Sequence, residues 1–425
     1  MTFDPTAANA VLKQTYPNGI VPIDYARAKT LALLKKSKGT VVSGPFGAGF
    51  VQPLKYGNPQ AGSATYATGY AQADTESSRY QQWFLTPGEL FQFARVNGKL
   101  TRISEGTGSF VNAMVSEIEN ARNALTRMCE IFLGGNGYGA LGQIDATATS
   151  VSTTTCVLKE PWMARMFEIG MSLVASSSSS GDGYNALRGT PTAVKVTKVD
   201  ASAGTITLAT APDSASSWAV SDYLYRAGDR ANTGSGAAAR LVPCGFGAFI
   251  PKTAPTAGQL LFTVDQSLSV RTGGNRRDAS TGGGNIEEVL LDTSADIDAQ
   301  GGVTTHCVVG TKTHAKLVKS MLNKTYFDVE DIDGAPLGFR GVLLAGASGD
   351  MLCYSDGAFP EGVAWQFSID DVGIIHTGKD LITLEEKDGL QFREVAGSDD
   401  WMARLVSSWQ FYCDAPGHAG VAYNL

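Results

Sequence analysis

The chain has 425 residues, a formal net charge of −7, 43% hydrophobic residues and only 18% charged residues. That length can bury a large core and divides naturally into more than one domain, and no apolar run approaches the ~18 residues that a membrane-spanning helix needs. The densest basic run is Lys35, Lys36 and Lys38, the pattern of a solvated helix face, which argues against sequence-specific nucleic-acid recognition.

Residues 1–40 read as an N-terminal arm, with Asp24 placed to cap a helix through YARAKTLALLKKSKG that Gly39 ends. Residues 41–104 are glycine-rich and extended in pattern. FVQPLKYGNP runs out, and ATYATGYAQ followed by RYQQWFLTPGELFQFARVNGKL runs back. A two-stranded excursion of this kind has little core of its own and needs something to lie on. From 105 to 145 the periodicity is helical. Apolar residues fall at Val111, Met114, Val115, Ile118, Ala121, Leu125, Met128, Phe132 and Leu133, with Ser109 as N-cap and Gly134 and Gly135 as the stop. Asn112, Ser116, Glu119, Asn123, Arg127 and Glu130 take the other faces.

Behind that helix, Gly137, Gly139 and Gly142 spell the G-x-G-x-x-G fingerprint of dinucleotide-binding loops. The fingerprint works only where glycines follow a strand and open a helix. Here they close a helix and lead into QIDATATSVSTTTCVL, so no nucleotide cofactor is expected. The segment 146–241 is compositionally distinct. VKVTKVDASAGTITLATAP carries a hairpin signal, and WMARMFEIGMSLVAS and WAVSDYLYRAGD add further strands, the makings of a small inserted β-barrel. Residues 242–390 alternate helices and strands. Asn285 and Glu288 form a capping box for IEEVLLDTSADIDAQ, which Gly301 and Gly302 end; THCVVGT is a buried strand; KTHAKLVKSMLN is a helix; GFRGVLLAG and DMLCYSD are strands. Residues 391–425 hold a long strand in which Ala403, Leu405, Trp409, Phe411 and Cys413 share one parity, followed by a tail.

Residues that could carry chemistry are scattered. His306, His314, His376 and His418 form no metal-binding spacing, and the adjacent acids Glu287-Glu288 and Asp399-Asp400 read as helix-start and loop charges. No two of Cys129, Cys156, Cys244, Cys307, Cys353 and Cys413 are close enough in sequence for a zinc or C-x-x-C motif. With no signal peptide at the start, reduced thiols and folding in the cytosol are expected. No catalytic, metal or cofactor site is therefore expected.

The order of the pieces resembles the major capsid protein of tailed bacteriophages with the Hong Kong 97-type fold. KYGNPQAGSATY and QQWFLTPGELFQFARVNGKL are similar to that family's extended loop. SFVNAMVSEIENARNALTRMCEIFLGGNGYGALGQI is similar to its spine helix and following turn. LFTVDQSLSVRTGGNRRDASTGGGNIEEVLLDTSADIDAQGG with HCVVGTKTHAKLVKSML resembles its axial domain, and GFRGVLLAG with SSWQFYCDAPGHAGVAYNL resembles the returning peripheral-domain strands. The segment 146–241 departs from the simplest members.

The resemblance implies an α+β fold with arm, extended loop, spine helix, axial and peripheral domains and an inserted β domain. It also implies a structural protein that forms pentamers and hexamers of an icosahedral virion shell around double-stranded DNA, assembled in the host cytoplasm. Its implied partners are copies of itself, a portal, cement proteins and a separate scaffolding protein, since 40 residues are too few for a scaffolding domain in the chain. Some members crosslink Lys to Asn between subunits. Lys55 and Asn58 lie on the extended loop, but no Lys, Asn and catalytic acid can be matched to that reaction. A tail or adhesion protein, a β-rich phage hydrolase and a bacterial nanocompartment shell are the rival readings. Tyr66, Tyr70, Trp83, Phe84 and Phe91 on the extended loop are the candidate inter-subunit contacts, because an isolated hairpin cannot cover that many rings.

Overall fold

A computed structural model describes residues 28–38, 50–73, 76–99, 113–146, 154–179, 187–188, 192–212, 218–231, 240–282, 284–321, 329–331, 340–377, 380–385 and 392–425. They fall into two compact units: a larger one of residues 28–91, 125–383 and 406–425, and a smaller one that includes residues 92–124 and 384–405. The expected caps Asp24 and Ser109, and most of the arm, lie outside the described residues.

In the larger unit, α1 (Lys29–Lys38) buries Leu31 and Leu34. Next comes an antiparallel ladder of β1 (Phe50–Gly57) and β2 (Arg79–Leu85), in register from Phe50↔Leu85 to Lys55↔Tyr80 and shifted by one residue at Gly57↔Arg79. Its connection corrects one expectation: ATYATGYAQ does not run back as extended chain but forms a two-turn helix, α2 (Tyr66–Ala73), that buries none of its residues. β3 (Gly88–Asn97) follows at once. The long helix α3 (Ala113–Leu133) buries Leu125, Met128, Phe132 and Leu133 here, the stripe its spacing predicts. Glu130 departs from expectation. It is only 3% exposed, because it faces a second acid, Asp356, and the first turn of α1.

α3 ends at Gly134 and Gly135, where the Gly135 N–H donates to the Phe132 carbonyl. Gly137 and Gly139 adopt φ of +83° and +81°, the left-handed region that favours glycine. A Cβ on Gly137 would also stand 2.4 Å from Cys244 Sγ. The chain then enters β4 (Ala140–Gln143), which contains Gly142. The fingerprint thus runs from helix to strand, the reverse of the order a pyrophosphate site requires.

β4 belongs to a six-stranded sheet with β5 (Thr155–Val157), β6 (Ser172–Ser176), β7 (Val194–Asp200), β8 (Thr205–Leu208) and β9 (Tyr223–Arg226), in the order β4-β9-β6-β7-β8-β5. The ends of that order meet. Ile144 bridges Leu158, the Asp145 N–H donates to Val157 O at 3.0 Å, and the Lys159 N–H donates to Gln143 O at 2.9 Å. The strands therefore close on themselves, and closure removes the free edges that short strands otherwise present. Two sequence expectations need correction here. The ladder begins at Ala140, ahead of 146, and WMARM is not a strand. Pro161–Met166 form a 3₁₀ turn whose first residue, proline, suits the start of a helical turn and cannot donate to a ladder.

A short ladder of β10 (Leu260–Leu261) and β11 (Val264–Asp265) precedes a seven-stranded mixed sheet. That sheet comprises β12 (Asn275–Asp278), β13 (His306–Gly310), β14 (Val329–Asp331), β15 (Arg340–Gly346), β16 (Gly349–Asp356), β17 (Val363–Phe367) and the last strand, numbered β22 (Gly420–Tyr423), in the order β12-β22-β17-β13-β16-β15-β14. β13 runs parallel to β16. It is a buried apolar run, as a strand covered on both faces should be. One face packs under α4 (Ile286–Asp298) and α5 (Thr311–Met321) through Val289, Leu290, Leu317, Cys307, Val309 and Cys353. Glu288 Oε2 accepts the Asn285 N–H at 3.1 Å, and Gly301 stops α4 with φ of +82°, both as predicted.

The other face meets a cluster of rings centred on Phe246, whose centroid lies 4.9 Å from Phe367, 4.4 Å from Phe411 and 6.0 Å from Phe359. β18 (Val372–His376) pairs antiparallel with the Trp409–Cys413 end of β21 (Asp400–Cys413), and in β19 (Thr383–Leu384) the Thr383 hydroxyl donates to Val406 O. Leu405, Trp409, Phe411 and Cys413 are buried as their shared parity predicts.

In the smaller unit, β20 (Arg393–Glu394) pairs with Trp401 and Met402 of β21. Arg95 and Asn97 of β3 both reach Asp400, the Arg95 guanidinium at 2.6 Å and the Asn97 amide at 2.7 Å, and the Gly98 N–H donates to Asp399 O at 2.7 Å. A Cβ on Gly98 would stand 2.2 Å from that carbonyl oxygen. The acidic pair Asp399-Asp400 is thus used for strand joining.

Candidate functional site

Strand alternation sorts the rings of the β1–β2 hairpin. On β2, Trp83 and Leu85 point inward and are each 1% exposed, and Leu54 of β1 joins them. Trp83 lies 5.3 Å from Phe249, and Phe249 lies 5.5 Å from Phe411, so this indole belongs to the aromatic core of its own chain. That corrects the expectation for Trp83. The ring is already covered within the subunit, because the inward face of β2 rests on the body. Phe84 is half-buried, and its N–H donates to Phe262 O at 3.1 Å.

The remaining candidates are uncovered. Tyr66 is 86% and Tyr70 65% exposed, and as i and i+4 neighbours on α2 they stack at 6.1 Å with an interplanar angle of 21°. Phe91 is 45% exposed on the outward face of β3, and Tyr80, also outward on β2, is 64% exposed. Among these, the α2 pair forms a flat aromatic platform with no cover from the described residues. Lys55 and Asn58 are exposed on the same hairpin.

The hairpin is gripped by a strained turn that sequence reading missed. Leu261 pairs with Val264, so Phe262 and Thr263 are the two loop residues, and both have positive φ, 44° and 82°. Such loops ordinarily take Asn-Gly, and a β-branched residue there is a genuine outlier. The turn meets β2. Thr263 Oγ1 donates to Gln82 O at 2.7 Å, next to the bond from the Phe84 N–H to Phe262 O. The Phe262 ring lies 6.2 Å from Phe249.

A second clamp ties the closed sheet to the body. Arg165, in the 3₁₀ turn, donates to Glu361 Oε1 and to Thr311 Oγ1. Glu361 caps α5, accepting the Lys312 N–H at 3.0 Å and the Thr313 N–H at 2.8 Å. Burial acts to raise the Glu361 carboxyl, but the donations from Lys312, Thr313 and Arg165 outweigh it and hold the group below its usual range.

The four histidines are placed separately. Nδ1 of His306 meets Thr305 Oγ1 at 2.9 Å, and burial lowers this imidazole. His376 is buried on β18, and His418 lies 3.5 Å from Asp371. Among the described residues no group of three or more His, Cys, Asp or Glu is arranged to hold a metal. All six cysteines are buried, and the parallel register places Cys307 beside Cys353, a neighbour relation that sequence spacing could not show.

No protein-family model matches the chain, and no curated protein matches it. Solved structures do. A subunit of the Cyanophage A-1(L) capsid asymmetric unit superimposes with a TM-score of 0.53 at 12% identity, covering 98% of each chain. The capsid of a native GTA particle gives 0.48 at 10% identity, over 100% of this chain and 99% of that one. The SrpI encapsulin complex of Synechococcus elongatus PCC 7942 gives 0.45 at 6% identity, over 100% and 96%. At 12% identity, the likeness to the cyanophage capsid chain shows a shared fold over nearly the whole length: a mixed α+β fold of the Hong Kong 97 type.

Proposed function

We propose that the chain is a major capsid protein that assembles into pentamers and hexamers of an icosahedral head shell enclosing the double-stranded DNA of a tailed bacteriophage. The observation that carries this reading is the whole-length fold likeness to a phage capsid subunit. The uncovered ring pair of α2 supports it. Tyr66 and Tyr70 sit in the connection of a hairpin with none of the described residues over them, and the occupant that fits is a second copy of this chain. Burying a large aromatic side chain contributes about 1.5–3 kcal/mol, and around a closed lattice modest contacts of this size recur on several sides of each subunit.

On this reading the closed six-strand sheet is an inserted domain held in place by the Arg165–Glu361 clamp. The shell encloses DNA through non-specific contacts, with a separate scaffolding protein, a portal and cement proteins as further partners. Electron microscopy of the purified protein tests the proposal. Curved sheets, open shells or closed shells are expected, and a monodisperse small oligomer would overturn it. Uniform, correctly sized shells from this chain alone would remove the need for a scaffolding protein.

A further inference from the structure

Two acids that capsid assembly does not account for are buried together. Glu130 of α3 is 3% exposed and Asp356, at the end of β16, is 2% exposed. Both point at the first turn of α1, where Thr30 is fully buried. The Thr30 N–H donates to Glu130 Oε1 at 3.1 Å and to Asp356 Oδ2 at 3.2 Å, and its hydroxyl donates to Asp356 Oδ2 at 2.7 Å. The Ala358 N–H completes Asp356, donating to Oδ1 at 3.0 Å. One residue of α1 is therefore held at once by a helix and a strand that are distant in sequence.

We propose that Glu130 and Asp356 form a proton-operated latch for α1: one proton shared by the two carboxyls keeps the first turn of α1 seated, and loss of that proton unseats it. Two carboxylates in contact in a buried site cannot both stay ionised. A single negative charge, by contrast, suits the amide-rich end of a helix. Glu130 is the member that keeps the proton. Burial, then the charge of Asp356 and the hydrogen bond to it, hold its carboxyl well above the ordinary 4.5, against the N–H donors of Thr30 and Leu31.

Other groups face the pair. Tyr354 of β16 lies beside Thr30, Asp356, Glu130 and Cys307, and burial raises its hydroxyl further from titration. Lys29 of α1 reaches the Ser355 carbonyl at 2.9 Å. His314 of α5 is lowered mainly by burial and further by the Lys29 charge. Acid would charge His314 next to Lys29 and loosen α1, the opposite sense to the carboxyl latch, so the two can be told apart.

The direction follows from linkage. A carboxyl whose value is raised in the closed state contributes stability that is fully present below its open-state value. That stability is lost as pH rises through the closed-state value. Opening α1 wets Glu130 and releases one proton, so the opening equilibrium climbs about tenfold per pH unit between those two values.

Hydrogen exchange of the full chain tests this, following the amides of α1 from about pH 5 to about pH 9 after correction for intrinsic exchange. The wild-type protein should lose protection in α1 with rising pH over part of that range, at close to tenfold per unit, while α4 and β13 stay protected. Glu130→Gln cannot ionise and should flatten the dependence. Asp356→Asn removes the facing charge and should move the loss of protection to a different pH. Flat protection in the wild-type protein, or an unchanged slope in Glu130→Gln, would overturn the latch.

Discussion

Trp83 and the pair Tyr66/Tyr70 lie on the same excursion and should behave oppositely. Trp83 is 1% exposed against Phe249, so Trp83→Ala empties a large core volume, and such truncations cost about 3–5 kcal/mol. Its indole nitrogen has no hydrogen-bond partner among the described residues, so no bond is lost and the lower end applies. About 3 kcal/mol is roughly a hundredfold in the folding constant. Trp83→Phe keeps a ring on Phe249 and removes the unpaired N–H, so its cost should stay near 1 kcal/mol. Tyr66→Ala with Tyr70→Ala removes rings that are 86% and 65% exposed, and subunit stability should move by no more than about 0.5 kcal/mol.

If those two rings are buried by a second copy, assembly loses about 3 kcal/mol per contact at the low end. The protein concentration needed for assembly should then rise about a hundredfold. Urea unfolding of dispersed subunits followed by far-UV circular dichroism reads the first effect, and sedimentation against protein concentration reads the second. A Trp83→Ala subunit as stable as its parent would refute the core placement. A double tyrosine variant that assembles at the parent's concentration would refute the platform.

Two further tests probe the Arg165–Glu361 clamp and the strained turn. Arg165→Ala should destabilise the subunit by about 2 kcal/mol, reduced from the range for breaking a fully buried pair because the Arg165 side chain keeps 25% exposure. Because the Glu361 carboxyl is lowered on folding, its contribution is present above the ordinary value of 4.5 and is lost as pH falls through the folded value. Glu361→Gln should flatten that acid limb of a stability–pH curve. At the strained turn, Thr263→Ala loses the hydroxyl bond to Gln82 and keeps the positive φ, costing about 1 kcal/mol. Thr263→Gly loses the same bond but relieves the strain and should cost less; equal melting shifts for the two would show the turn is unstrained.

Much of the fold was legible because local patterns set it. The parity of Ala403, Leu405, Trp409 and Phe411 fixed the buried face of β21, Glu288 capped α4 as its spacing implied, and Gly301 stopped that helix. Gly137, Gly139 and Gly142 were readable as a helix-to-strand turn because they follow the apolar stripe of α3. What escaped depends on partners remote in the chain. Periodicity put Glu130 away from the apolar stripe of α3, and by that criterion it belonged to solvent. Nothing local shows that β16 brings Asp356 to the same place and that Thr30 covers both. Cys307 and Cys353 meet only because two strands run parallel.

The aromatic count on the excursion shows why a site is harder to read than a fold. Composition says that the segment from Phe50 to Phe91 holds more rings than a free hairpin can cover, but it does not say which rings remain uncovered. The two-residue period of a strand answers part of that question, since Tyr80 and Trp83 differ by an odd number and must face opposite ways. The rest depends on what lies beneath. Only the body of the molecule, with Phe249 and Phe411 in place, makes the inward side dry. The same sequence feature therefore serves two ends. The inward Trp83 seats the excursion on its own subunit, and α2 leaves its tyrosines uncovered by the described residues. If the chain is a shell protein as proposed, the division has a physical use: a contact surface built on a firmly seated hairpin would spare a neighbour that buries Tyr66 and Tyr70 from also ordering the strands that present them.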